Sequence, residues 1–163
     1  MKNVIIGAVV GAVVGAGVSS AIVSTNASTA AMKPAAAAKA PEKQKTVYHI
    51  NYKGGENDSA YLAALRNVNN HISAVGADKV DIKVVLHANG LDVLKSANGN
   101  DALRGQIQSL KAQHVAFQVC ENTMVRNKID IKELYDTTKD DIVASGVAEL
   151  ARLQHLGYAY IKP

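Results

Sequence analysis

Residues 79–120 read KVDIKVVLHANGLDVLKSANGNDALRGQIQSLKAQHVAFQVC, and the architecture follows from them. The opening part, KVDIKVVLHA (79–88), is β-branched and apolar, as a strand requires. The closing part, HVAFQVC (114–120), is a second, nearly continuous apolar run of strand length. Between them Leu103, Ile107 and Leu110 recur at three- and four-residue spacing, which puts one apolar face on a helix over 101–113. Asp101 is a suitable start for that helix. The intervening NGLDVLKSANGN reads as a loop with one helical turn at 91–96. A strand, a helix and a strand in succession form a crossover unit, in which the two strands run parallel.

The same alternation extends in both directions. TVYHINY (46–52) reads as a strand, followed by the polar glycine loop KGGENDS. From Asp58, the positions Tyr61, Leu62, Leu65, Val68, Ile72 and Val75 trace a helix, and Gly76 suits its carboxyl end. After Cys120 comes a short helical turn, NTMVRNK, and then DIKELY, where Asp130 and Glu133 are spaced as a capping box. DIVAS (141–145) is a short fourth strand. Ser145 is placed to cap the helix GVAELARLQHL, with Glu149 near its positive end, and GYAYIKP closes the chain as a fifth strand. The expected fold is α/β: a three-layer α/β/α domain with a mostly parallel five-stranded sheet. About 120 residues is enough for one compact core and not for two.

The amino-terminal part has a different character. No charged residue occurs from Asn3 to Met32, and Val, Ile, Ala and Gly dominate. Residues 1–23 therefore read as a hydrophobic helix, either a membrane anchor, which needs roughly 20 apolar residues, or a signal peptide. Small residues suited to signal-peptide cleavage follow at Ser28-Thr29-Ala30 and Thr29-Ala30-Ala31. Both readings place the domain outside the cytoplasm, in the periplasm, either free or tethered to the inner membrane. Residues 24–45 are rich in Ala, Ser, Lys and Pro and read as a flexible linker to the domain at 46–163.

The formal charge of +4 does not point to nucleic acid. Three of the 18 basic residues, Lys2, Lys33 and Lys39, precede Glu42, which leaves 15 against 14 acidic residues in the rest of the chain. Those 15 are scattered rather than gathered in a stripe. No His-Glu-x-x-His or multi-cysteine pattern occurs, so neither a metal nor a cofactor is expected.

In open parallel sheets, ligands and reactive groups gather beyond the carboxyl ends of the strands. Four segments reach that edge: the loop at 53–59, His87 to Gly90, Cys120 with its successors, and Ser145-Gly146. Cys120 is the single cysteine. It is either a small buried residue at a strand end or a nucleophile, and a nucleophile must be a thiolate. The helix beginning near Asn122 and the one capped by Ser145 would both aim amides at the sulfur and favour its anion. Glu121, if close, would oppose them. Asn122 and Thr123 could orient the sulfur or a ligand, with capping the expected work of Thr123. Gly54, Gly55 and Asn57 could cradle an anion on backbone amides, or form a plain turn capped by Asn57 or Asp58. Of the five histidines, His49 and His114 fall within strands and read as structural, and His71 and His155 fall on helices. His87, at the end of a strand, is the one placed to pair with Cys120 as a base.

The glycine loop, HANGLDVLK, QVCENTM and VASGVAELARLQHLGYAYIKP together resemble the DsrE/DsrF-like family over about residues 46–163. That resemblance implies a three-layer α/β/α fold, a homo-oligomer (a trimer or hexamer) and, in some members, relay of sulfur. A loop cysteine there holds sulfur as a persulfide and passes it to a partner protein. Cys120 is the position that matches, and sulfur donor and acceptor proteins are the partners implied. The alternative is a non-catalytic binding or scaffolding oligomer with an inert cysteine.

Overall fold

The computed structural model describes residues 42–163. The apolar segment 1–23 and nearly all of the linker lie outside the described residues. Among the described residues no helix is long and apolar enough to cross a membrane.

Five strands form one sheet: β1 (Gln44–Ile50), β2 (Val80–Leu86), β3 (Ala116–Cys120), β4 (Ile142–Val143) and β5 (Ala159–Ile161). Their order is β4-β3-β2-β1-β5, and every pairing is parallel. The helices are α1 (Ser59–Val75), α2 (Asp92–Ser96), α3 (Asp101–Ala112), α4 (Glu121–Asn127) and α5 (Gly146–His155).

Strand residues alternate between the two faces. On one face Tyr48, Ile50, Val84, Leu86, Phe117 and Val119 pack with Leu65 and Val68 of α1 and Leu103, Ile107 and Leu110 of α3. On the other, Val47 and Val85 pack with Leu150 and Leu153 of α5 and with Tyr158. The expected three layers are present. Burying both faces is what gives the strands their dense apolar sequences.

Several boundaries differ from the expectations for local reasons. α3 is capped by Asn100 rather than Asp101: its Oδ1 accepts from the amides of Ala102 and Leu103 at 3.1 and 3.2 Å. Its Nδ2 also donates to Asp58 Oδ2, at 3.0 Å. His114 is exposed in a left-handed turn (φ 66°), so β3 begins at Ala116 and His114 is not a strand residue. The capping box of Asp130 and Glu133 is present, but it opens a single 3-10 turn, Ile131–Glu133. The fourth strand shrinks to two residues because it meets only the last two of β3. Beyond them, the Ala144 carbonyl accepts from the Asn122 amide of α4 at 3.3 Å. Ser145 caps α5, as its position predicts, accepting from the Ala148 amide at 3.4 Å.

Candidate functional site

The register sets two chemical side chains next to each other. Leu86 pairs with Val119, so one step further along the parallel strands His87 and Cys120 stand side by side. Both belong to the face covered by α5. Gly146, the first residue of that helix, lies between them. A Cβ there would come within 3.0 Å of His87 Cβ and 3.2 Å of Cys120 Cβ. A residue without a side chain is what lets the start of α5 approach so closely.

Cys120 is the residue from which α4 springs, with extended backbone (φ −74°, ψ 112°). Burial pushes its thiol up. The Thr123 hydroxyl and the amides of Gly146, Thr123 and Asn122 more than offset that, so the thiol lies below its ordinary value. The sulfur closes no conventional capping hydrogen bond with α4; the amides act on it through their dipoles. Both helix starts named from the sequence thus contribute. Glu121 is exposed to solvent.

Thr123 does more than its sequence position suggested. It is buried, and its Oγ1 accepts from the Ala88 amide at 3.0 Å. Its own proton is then free for the sulfur. Ala88 is held at φ 48°, a left-handed conformation costly for a residue with a side chain. The Thr123 hydroxyl is therefore fixed by the loop after β2 rather than spent on capping.

Only 4% of Cys120 is exposed. It nevertheless borders a cavity of about 410 Å³ whose walls include His87, Asn89, Asn122, Thr123, Arg126, Ser145 and Val147. The residue is buried, yet it forms part of the wall of that cavity. Arg126, missed in the sequence, brings a cation to the wall. Its signal was there: it follows Thr123 by three residues and Asn122 by four, the spacing of one helix face. A second groove, between α1 and α3, is about 360 Å³ and is lined by residues such as Arg66, Asn69, Gly105, Gln106 and Ser109, with no cysteine or histidine.

The glycine loop is not part of this site. Gly54, Gly55 and Asn57 are absent from the walls of the cavity. A Cβ on Gly54 would fall 2.6 Å from the Tyr61 ring, so the glycine makes room for that side chain. The Tyr61 hydroxyl reaches the carbonyls of Tyr52 and Asn89 at 2.8 and 2.6 Å. The loop is a turn built around a buried tyrosine. Neither Asn57 nor Asp58 caps α1 with its side chain.

His49, a strand residue expected to be structural, joins the rim of the α5 face. It is 7% exposed, and its Nε2 lies 2.7 Å from His87 Nε2 and its Nδ1 2.7 Å from the Tyr160 hydroxyl. Burial first, then His87 and Lys162, hold His49 down at about 4. Burial and Lys162 also lower His87. Burial thus favours the neutral form of both rings. His71 contacts the Tyr48 hydroxyl at 2.9 Å, and His155 is exposed. Among the described residues no group of three His, Cys, Asp or Glu is placed to hold a metal ion.

The fold and the site together define an α/β protein with a parallel five-stranded sheet, a thiol at the carboxyl rim and an imidazole on the neighbouring strand. The model of the DsrE/DsrF-like family matches residues 18–163, and the chain belongs to that family, which is linked to sulfur relay. A structure of MTH1491, a protein of unknown function from Methanobacterium thermoautotrophicum, is similar at 30% identity with a TM-score of 0.63. It aligns over 74% of this chain and 100% of that one. No curated protein matches the chain.

Proposed function

We propose that this protein is an exported sulfur carrier that holds sulfur as a persulfide on Cys120. The observation that supports this best is the thiol's environment. A group buried this deeply should resist ionisation, yet the Thr123 hydroxyl and three amides lower it instead. A persulfide is more acidic than a thiol, so the same donors would hold its anion. Arg126 adds positive charge for an anionic sulfur donor, and Asn122 and Ser145 offer hydrogen bonds within the cavity. The carrier reading requires a donor able to enter that opening and an acceptor thiol that follows it.

Export rests on the uncharged apolar run from Asn3 to Met32, and a homo-oligomer rests on membership of the family. Exposed Val147, in the cavity wall, and exposed Val125 on α4 would suit contact with a partner.

The test is alkylation of the folded protein near neutral pH, with exposure to polysulfide followed by mass measurement. The carrier reading expects rapid modification of Cys120 and a gain of one sulfur atom, both absent in Cys120→Ser. A scaffolding oligomer with an inert thiol draws on the 4% exposure of Cys120. It expects modification only after unfolding, and that result would overturn the carrier reading.

A further inference from the structure

A line of hydrogen-bonded rings leads away from the thiol. The order β3-β2-β1-β5 sets Cys120, His87, His49 and Tyr160 in sequence along the carboxyl rim, all on the α5 face. His87 Nε2 and His49 Nε2 are 2.7 Å apart, and His49 Nδ1 is 2.7 Å from the Tyr160 hydroxyl. The imidazoles overlap, with centres 4.7 Å apart and 24° between their planes. Two ring nitrogens this close need one proton and one lone pair between them.

For neutral rings that leaves two arrangements. In the first, the Tyr160 hydroxyl donates to His49 Nδ1, His49 Nε2–H donates to His87 Nε2, and His87 carries a proton on Nδ1. In the second, His87 Nε2–H donates to His49, His49 Nδ1–H donates to the Tyr160 oxygen, and His87 Nδ1 is bare. His87 Nδ1 has no hydrogen-bond partner among the described residues, and His87 borders the cavity. Passing from the first arrangement to the second releases one proton at the cavity and takes one up at Tyr160, which is 42% exposed.

We propose that His87, His49 and Tyr160 form a proton relay that serves Cys120 and exchanges protons with solvent at Tyr160. The proposal rests on the sulfur-carrier reading. When a persulfide donor R–S–SH is attacked, the Cys120 sulfur bonds to the terminal sulfur and the donor S–S bond breaks with its electron pair on R–S. The Cys120 proton passes to His87 Nδ1 across the cavity that both residues border, and the leaving thiolate is protonated from the same nitrogen. No external oxidant or reductant is needed. A Cβ on Gly146 would lie 3.2 Å from Cys120 Cβ and 3.5 Å from His87 Cδ2, so both side chains abut one bare glycine. The charged and titratable groups around the pair are Cys120 from β3, Arg126 from α4, and Tyr160 and Lys162 from β5 and its extension. From α5, Glu149 is engaged by Gln118 and Arg152.

The test compares the full-length protein with Tyr160→Phe and His49→Gln. Nitrogen-15 spectra of the imidazoles come first. The relay expects Tyr160→Phe to change the tautomer balance of His87, one ring beyond the altered contact; an unchanged His87 overturns it. The second readout is the single-turnover rate of sulfur loading from polysulfide, in H₂O and D₂O across pH. Either substitution is expected to slow loading about 10-fold, less than the roughly 100-fold or more of losing a direct acid–base group because His87 itself remains, and to shift the pH profile of the rate. The thiolate absorbance of Cys120 should follow its original titration. If rates and ionisation move together, or neither moves, the residues are merely structural and the relay is overturned. Failure of the unaltered protein to take up any sulfur sinks the carrier reading instead, and the relay is then judged on the nitrogen spectra alone.

Discussion

The two faces of the sheet come from the same strands and do different work. Toward α1 and α3, the strands present Tyr48, Ile50, Val84, Leu86, Phe117 and Val119, a nearly unbroken apolar layer. Toward α5 they present Val47, His49, Val85, His87, Gln118 and Cys120. Helices α1 and α3, joined by Val93 and Leu94 of α2 and Met124 of α4, cover the first face, and one helix of ten residues covers the second. The second face therefore carries polar groups that must find partners, and it keeps an opening at its carboxyl rim. One face stabilises the domain while the other holds the Cys120 thiol, and a period of two in the strands keeps them apart.

The sharpest way to break this comparison is to cut into each face in turn. Phe117 is fully enclosed. Phe117→Ala should cost about 3–5 kcal/mol of stability, from lost burial and the cavity left behind. His87→Ala, at the rim of the opposite face, should cost far less while altering the behaviour of Cys120. Urea unfolding of both variants measures the difference, and equal costs would remove the division of labour.

Acid probes the α5 face next. His49 is held at about 4 against an ordinary 6.5, chiefly by burial. Between these values the unfolded chain binds a proton that the folded chain refuses, so unfolding is favoured as pH falls. Stability should be full above 6.5 and decline until about 4, a loss on the order of 2–3 kcal/mol. Glu149, lowered by Arg152 from 4.5, adds its own loss only further into acid. The upper part of the window therefore reports the histidines. Thermal melts at stepped pH would show the slope, and His49→Gln should flatten it; a slope that survives the substitution has another source.

The α1/α3 face was readable because helix and strand periods announce it: Leu103, Ile107 and Leu110 at one spacing, the apolar β3 run at another. The carboxyl-rim position of Cys120, His87 and Ser145 followed from the alternation of elements. His49 was missed for a physical reason. Which strands are neighbours is fixed by crossover connections over long separations, and no local pattern records that β1 lies between β2 and β5. Alternation alone would have put His49 on the side of Val47, but not beside His87. The glycine loop misled in the opposite way. Gly54 yields its space to Tyr61, a packing demand that looks in sequence like an anion cradle.

The smallest effect tests how the two faces meet at one hydroxyl. Thr123 accepts from the Ala88 amide and faces the Cys120 sulfur, so it links the loop after β2 to the thiol. Thr123→Val keeps the shape and removes both interactions. Stability should fall by about 1 kcal/mol, the usual cost of leaving one amide without its acceptor. The thiol should rise toward its ordinary value, because burial would then be opposed by amides alone. Thiolate absorbance across pH reads that rise directly, and Thr123→Ser, which restores the hydroxyl, should reverse it. An unmoved thiol would mean that the starts of α4 and α5 ionise the sulfur without help, leaving Thr123 to brace Ala88 in its left-handed turn.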